Sequence, residues 1–234
     1  MNRRFRPATV FRLLLCAGLF ACCGGALAQG EVVFAPVDRT GEVRADLYGS
    51  GARAVILAHG GRFDKESWRP QGRALAAAGF RVLALRFRGD SHNPDGTPSA
   101  EGSDEDNAAD VRGAVAWLER NGATHIAAVG ASLGGDAVAL ASHADPGHIE
   151  RIVLLGSNGG GVIARVRARK LFIVARSDRN GEGPRLGRIS AAYAAARPPK
   201  NLVVVEGSAH AQFLFATAQG PRVLEEITRF LSAP

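Results

Sequence analysis

Cysteine is almost absent from this chain: among 234 residues it occurs at positions 16, 22 and 23 and nowhere later. A protein cut downstream of Cys23 would hold no disulfide, thiol nucleophile or thiolate metal site, and its stability would come from packing alone. Nucleotide signatures are missing as well. No G-x-x-x-x-G-K-[ST] occurs, and the glycine-rich stretch Gly156 to Gly161 lacks G-x-G-x-x-G, which argues against nucleotide binding. There is no internal repeat, low-complexity tract or linker-like segment after the first 28 residues. Acidic residues are absent before Glu31, and this skews the overall charge. The formal +7 contains Arg3, Arg4, Arg6 and Arg12; without these four, 25 basic residues face 22 acidic ones, leaving +3. That is too little to imply a nucleic-acid partner. With 46% hydrophobic and 22% charged residues the composition is that of a folded globular protein, and it excludes collagen, coiled coil and polytopic membrane protein.

What is present begins with an export signal. A basic stretch from Met1 to Arg12 precedes an apolar run from Leu13 to about Ala28, and Ala26-Leu27-Ala28 supplies small residues before Gln29. The expectation is a signal peptide over residues 1–28 and an exported domain, periplasmic or extracellular, over 29–234. A competing reading takes Leu19-Phe20-Ala21-Cys22 as a lipoprotein box, with Cys22 acylated; Phe20 is bulky for it. Membrane attachment is expected only if Cys22 is lipidated, since the apolar run is short for a span of about 20 residues.

From there the pattern alternates. Short runs rich in Val, Ile and Leu recur at Ala54 to Ala58, Phe80 to Leu85, Ile126 to Val129, Ile152 to Leu155, Leu171 to Ala175 and Leu202 to Val205, as in strands buried on both faces. Between them lie stretches of helical length at Ser67 to Ala78, Asp104 to Arg120, Gly135 to His143, Pro184 to Ala196 and Pro221 to Leu231. Such alternation predicts an α/β protein with a mostly parallel, doubly wound sheet flanked by helices. Glu31 to Pro36 and Val43 to Tyr48 read as an antiparallel hairpin leading into it.

In an open parallel sheet the chemistry is expected at the carboxyl ends of the strands. Gly130-Ala131-Ser132-Leu133-Gly134 follows one strand and precedes a helix, the context in which G-x-S-x-G makes a sharp turn around a nucleophilic serine. A serine needs a base to take its proton and an acid to orient that base. His210 follows the last buried strand and Asp178 the one before it. Gly156-Ser157-Asn158, after the strand ending at Leu155, offers no carboxylate, which favours Asp178 as the acid, with Glu182 the fallback.

The loop His59-Gly60-Gly61, taken with this Ser132, Asp178, His210 order, makes the chain resemble the α/β-hydrolase superfamily, in particular its small, cap-less serine esterases and dienelactone-hydrolase-like members. The resemblance spans essentially residues 29–234, and Phe87-Arg88-Gly89-Asp90 looks like the family's Arg-Gly turn. It implies an oxyanion hole at the N–H groups of Gly61 and Leu133 and a structural part for His59. Dienelactone hydrolases proper use Cys, and the Ser here favours ordinary ester chemistry. The expected activity is hydrolysis of small carboxylic esters without cofactor or metal. The same site could serve acyl transfer, peptidase action or perhydrolysis, or the fold could be kept for binding alone. His92, His125, His143 and His148 lack metal-site spacing and are expected to be structural. About a dozen residues separate Leu155 from Lys170, too few for a large cap. The Arg88 to Ser103 and Arg176 to Gly183 loops are then expected to form the rim, with Arg88, Arg176 or Arg179 available to a substrate carboxylate.

Overall fold

Strands that are apolar on both faces bury themselves only if helices cover both sides, and the computed structural model has that arrangement. It describes residue 1 and residues 28–93, 95–100 and 102–234; residues 2–27 of the expected signal segment, Cys22 among them, lie outside the described residues. Eight strands form the main sheet: β1 (Ala28–Phe34), β2 (Val43–Tyr48), β3 (Arg53–Ala58), β4 (Arg81–Arg86), β5 (His125–Ala131), β6 (Arg151–Leu155), β7 (Arg169–Ala175) and β8 (Lys200–Val205). Their spatial order is β1-β2-β4-β3-β5-β6-β7-β8. The first two strands pair antiparallel, β2 joins β4 antiparallel, and every later pairing is parallel. The mostly parallel sheet, the N-terminal antiparallel hairpin and the absence of a large cap agree with the sequence expectation.

Alternate residues of each strand enter separate cores. Ile56, Leu83, Leu85, Ala128, Leu154 and Phe172 face one side, where α2 (Asp104–Arg120), α3 (Leu133–Ala144) and α4 (Arg185–Ala195) supply Val111, Leu118, Val138 and Ile189. Leu57, Val82, Val129, Val153, Ile173 and Val205 face the other, against Trp68, Leu75 of α1 (Arg69–Ala77) and Val223 and Ile227 of α5 (Gly220–Ser232). At about 1.5–3 kcal/mol per buried large aliphatic side chain, these two layers dominate the favourable side of folding.

Local chemistry sets the helix ends. Ser103 and Asp106 form a reciprocal capping box at the start of α2, and Asp104 and Glu105 add negative charge to its first turn. The helical stretch expected from Ser67 to Ala78 is divided. A 3₁₀ turn, Lys65–Trp68, is capped by Asp64, which accepts from the Ser67 N–H at 2.9 Å, and α1 then starts with Pro70 in its first turn, where the missing N–H costs no hydrogen bond. Two short ribbons, Asp90–His92 with Pro98–Ala100 and Arg179–Asn180 with Gly183–Pro184, stiffen loops that read as irregular in the sequence.

The tightest packing lies where β5 turns into α3. A Cβ placed on Gly130 would sit 2.3 Å from the Gly134 carbonyl oxygen, and one on Gly134 would sit 2.3 Å from the Ala58 oxygen and 2.5 Å from the His59 oxygen. These are backbone atoms of neighbouring elements and cannot swing aside. Gly134→Ala is therefore expected to force the turn away from β3 and to cost about 1–3 kcal/mol, roughly 3–10 °C in Tm for a domain of this size. A thermal melt within 1 °C of the parent would contradict this packing.

Candidate active site

Ser132 sits between β5 and α3 with φ 51° and ψ −117°, a conformation L-residues avoid. The turn is held by hydrogen bonds: the Ser132 N–H donates to the Leu155 oxygen at 2.8 Å, and the Ser132 oxygen accepts from the Gly135 N–H at 2.8 Å. The hydroxyl is thereby lifted above the carboxyl ends of the parallel strands, ahead of the N-terminus of α3.

The loops after β7 and β8 bring the other two residues to it. His210 Nε2 lies 2.9 Å from Ser132 Oγ, and His210 Nδ1 lies 2.7 Å from Asp178 Oδ2. Asp178 is 1% exposed. Its backbone is pinned at both ends, N–H to the Ala175 oxygen at 3.1 Å and C=O from the Arg185 N–H at 2.8 Å. The Arg185 Nε is 3.6 Å from the outer carboxylate oxygen, Oδ1, so a cation faces the acid from α4. Glu182, the fallback acid, does not reach His210; it pairs with Arg188 on the exposed rim, and that partner holds its carboxyl below the ordinary range. Gly156, where a carboxylate was absent, has a different use. It adopts φ +62°, and a Cβ there would lie 2.9 Å from His210 Cε1, so the imidazole rests on bare backbone.

The His59-Gly60-Gly61 loop lies against the Ser132 turn: a Cβ on Gly60 would meet the Ala131 oxygen at 3.3 Å and Ser132 Cβ at 3.6 Å, and one on Gly61 would stand 4.0 Å from Leu133 Cδ1. Neither the Gly61 nor the Leu133 N–H donates to an acceptor among the described residues. His59 is fully buried, with Nε2 2.9 Å from Asp90 Oδ2 and Nδ1 3.0 Å from the Gly60 oxygen, so its ring braces this loop and stays away from Ser132.

Residues without a sequence motif complete the site. Gln212, two positions past His210, accepts from the Gly60 N–H at 3.3 Å and donates to Ser67 Oγ at 2.6 Å, tying the turn that carries His210 to the Gly60 loop. Asp136, on α3, accepts from Ser157 Oγ at 2.7 Å and the Gly160 N–H at 2.8 Å and braces the loop after β6; burial pushes its carboxyl above the usual range. Only the position of Gln212 just after His210 hinted at either.

The arginines are placed differently from the sequence expectation. Arg88 does not face the site: its side chain binds Asp38 at 2.9 Å and Asp110 at 2.5 Å, closing the loop after β4 onto α2. Arg176 pairs with Glu206 on the surface at 2.9 Å, and Arg179 does not line the cleft beside Ser132. Arg185 and Arg188 do, because α4 points its first turn at that cleft. Among the described residues no group of His, Cys, Asp and Glu could hold a metal ion, and no helix is long and apolar enough to cross a membrane.

A family model described as alpha/beta hydrolase fold matches residues 53–172. The match takes in the His59 loop and the Ser132 turn and ends before Asp178. No curated protein sequence matches the chain. Among solved structures, a dienelactone hydrolase from Anabaena variabilis is similar at 20% identity and TM-score 0.67, over 86% of this chain and 96% of that one. An esterase from Rhodococcus sp. is similar at 16% identity and TM-score 0.68 over 87% and 98%, and a monoacylglycerol lipase from Paleococcus ferrophilus at 16% identity and TM-score 0.67 over 82% and 98%. At such identities the likeness is one of fold. With half the chain matched by the family model, this protein belongs to the α/β-hydrolase fold family.

Proposed function

We propose that the protein is a serine hydrolase of small carboxylic esters. The observation that carries this reading is the unbroken hydrogen-bonded chain from Ser132 Oγ through both nitrogens of His210 to a buried Asp178. The esterase, lipase and dienelactone hydrolase names of the structural relatives are in keeping with it.

Ser132 Oγ attacks the ester carbonyl while His210 Nε2 takes its proton, and Asp178 holds the ring with Nδ1 protonated and balances the imidazolium that forms. The oxyanion of the tetrahedral intermediate lies against the Gly61 and Leu133 N–H groups, each such donor contributing about 3 kcal/mol to transition-state binding. Collapse of the intermediate breaks the bond to the alcohol oxygen, which leaves with the proton from His210. Water then repeats the sequence on the acyl-enzyme, with His210 again as base, and releases the acid and free Ser132.

Ser132→Ala and His210→Ala are expected to lower kcat for p-nitrophenyl acetate by about 10⁶-fold, and Asp178→Asn by about 10³ to 10⁴-fold through the wrong imidazole tautomer. Retention of most activity by Asp178→Asn, with loss in Glu182→Gln, would move the acid to Glu182. Peptide amides of matched size, run in parallel, are expected to be cleaved far more slowly; the reverse order would make the enzyme a peptidase.

The protein is further proposed to be exported, with residues 1–28 as a removed signal and 29–234 as one domain acting in the periplasm or outside the cell. Pairing of β1 with β2 is regular from Gly30 to Phe34, so removal of 1–28 takes away the Ala28 pair and keeps the regular part of the hairpin. Intact mass after expression with export is expected to show a start at Gln29. A start at a lipidated Cys22 would replace this by a tethered form, and an unprocessed chain would overturn export.

A further inference from the structure

The cleft beside Ser132 has a volume of about 210 Å³, and Ile189 is the one apolar side chain lining it among the described residues. Its wall is otherwise made by Ser157, Asn158, Glu182, Arg185, Arg188 and the side of Asp136. A fatty chain placed there would strip water from these groups and return nothing. The apolar surface near the nucleophile is elsewhere: Phe63, from the Gly60 loop, and Phe213, from the turn after His210, pack as tilted rings with centroids 4.6 Å apart, and Phe213 is 43% exposed.

Two arginines in a cleft suggest a carboxylate receptor, but the charge balance opposes it. Arg188 is taken up by Glu182 and Asn180. Arg185 faces Asp178. With Asp136 protonated the local sum is zero, and with Asp136 ionised it is negative, so no surplus cation is left to offset the desolvation of an anion. What remains unused is hydrogen-bonding capacity. The terminal amino groups of Arg185 and the amide of exposed Asn158 have no partner among the described residues, and the Glu182 carboxylate stands on the rim as an acceptor. Donors and acceptors without net charge match a neutral group carrying several hydroxyls, each of which both gives and takes a hydrogen bond.

Direction follows from His210. The cleft shares Gly156 with the imidazole, whose Cε1 lies 2.9 Å from where a Gly156 Cβ would be. It therefore opens on the side of the group that protonates the departing oxygen. We infer that the cleft holds the alcohol half of the ester, and that this alcohol is a neutral sugar or polyol of about hexose size, with a short acyl half against Phe63 and Phe213. This rests on the serine-hydrolase reading.

The experiment compares kcat/KM for three primary acetates on a six-membered ring: methyl glucopyranoside acetylated on its primary hydroxyl, cyclohexylmethyl acetate, and the acetate of a hydroxymethylcyclohexanecarboxylate. p-Nitrophenyl acetate serves as the activity control. The sugar ester is expected to exceed both others by about ten-fold or more, and Asn158→Leu to reduce its advantage over cyclohexylmethyl acetate by about ten-fold. Equal or better cleavage of cyclohexylmethyl acetate by the parent would overturn the inference while leaving the esterase reading intact. Preference for the carboxylate-bearing ester would replace the polyol by an anion. Parent activity on p-nitrophenyl acetate no greater than that of Ser132→Ala would remove the esterase reading, and this inference with it.

Discussion

The site depends on a contact between two backbones. Where β5 turns into α3, the Gly134 Cα lies so close to the Ala58 and His59 carbonyls that no side chain fits, and Gly130 lies equally close to the turn's own return. That contact holds Ser132 in its left-handed conformation, because the peptide on either side of it has nowhere else to go. It also fixes the distance between the Ser132 turn and the Gly60 loop, which carries the Gly61 N–H. A strained backbone of this kind persists only where its surroundings over-determine it, and here the surroundings are a sheet buried on both faces.

The polar groups around this contact divide into braces and free groups. His59 with Asp90, Gln212 with Gly60 and Ser67, and Asp136 with Ser157 and Gly160 each join two segments through buried or half-buried hydrogen bonds. They limit the motion of the segments that hold Ser132 and His210, and electrostatic stabilisation benefits from donors that need not reorganise. Among the described residues the Gly61 and Leu133 N–H groups, the Arg185 terminus and the Asn158 amide are donors left open. All four lie near Ser132, where a substrate would complete them.

The sheet was legible because parallel strands buried on both faces produce uninterrupted runs such as Val55-Ile56-Leu57, and helix starts such as Ser103 to Asp106 carry their own capping chemistry. The meeting of Ser132, Asp178 and His210 was legible for a related reason: each lies within a few residues of the end of a strand whose carboxyl end the topology sends to one edge. Gln212 was not, since its partners Gly60 and Ser67 are 152 and 145 residues away and nothing local demands a glutamine. The arginines were misplaced from sequence because Arg88 is claimed by Asp38 and Asp110, on elements before and after it. Arg185 enters the cleft only through the phase of α4, which a boundary uncertain by one residue leaves open.

The central claim is that Ser132 is a nucleophile activated by His210. An alkyl fluorophosphonate reacts with such a serine and leaves an ordinary hydroxyl untouched. After brief exposure, intact mass and peptide mapping should show one phosphonyl group per chain, on the peptide containing Ser132. An unlabelled protein, or a label carried by another serine, would contradict the account.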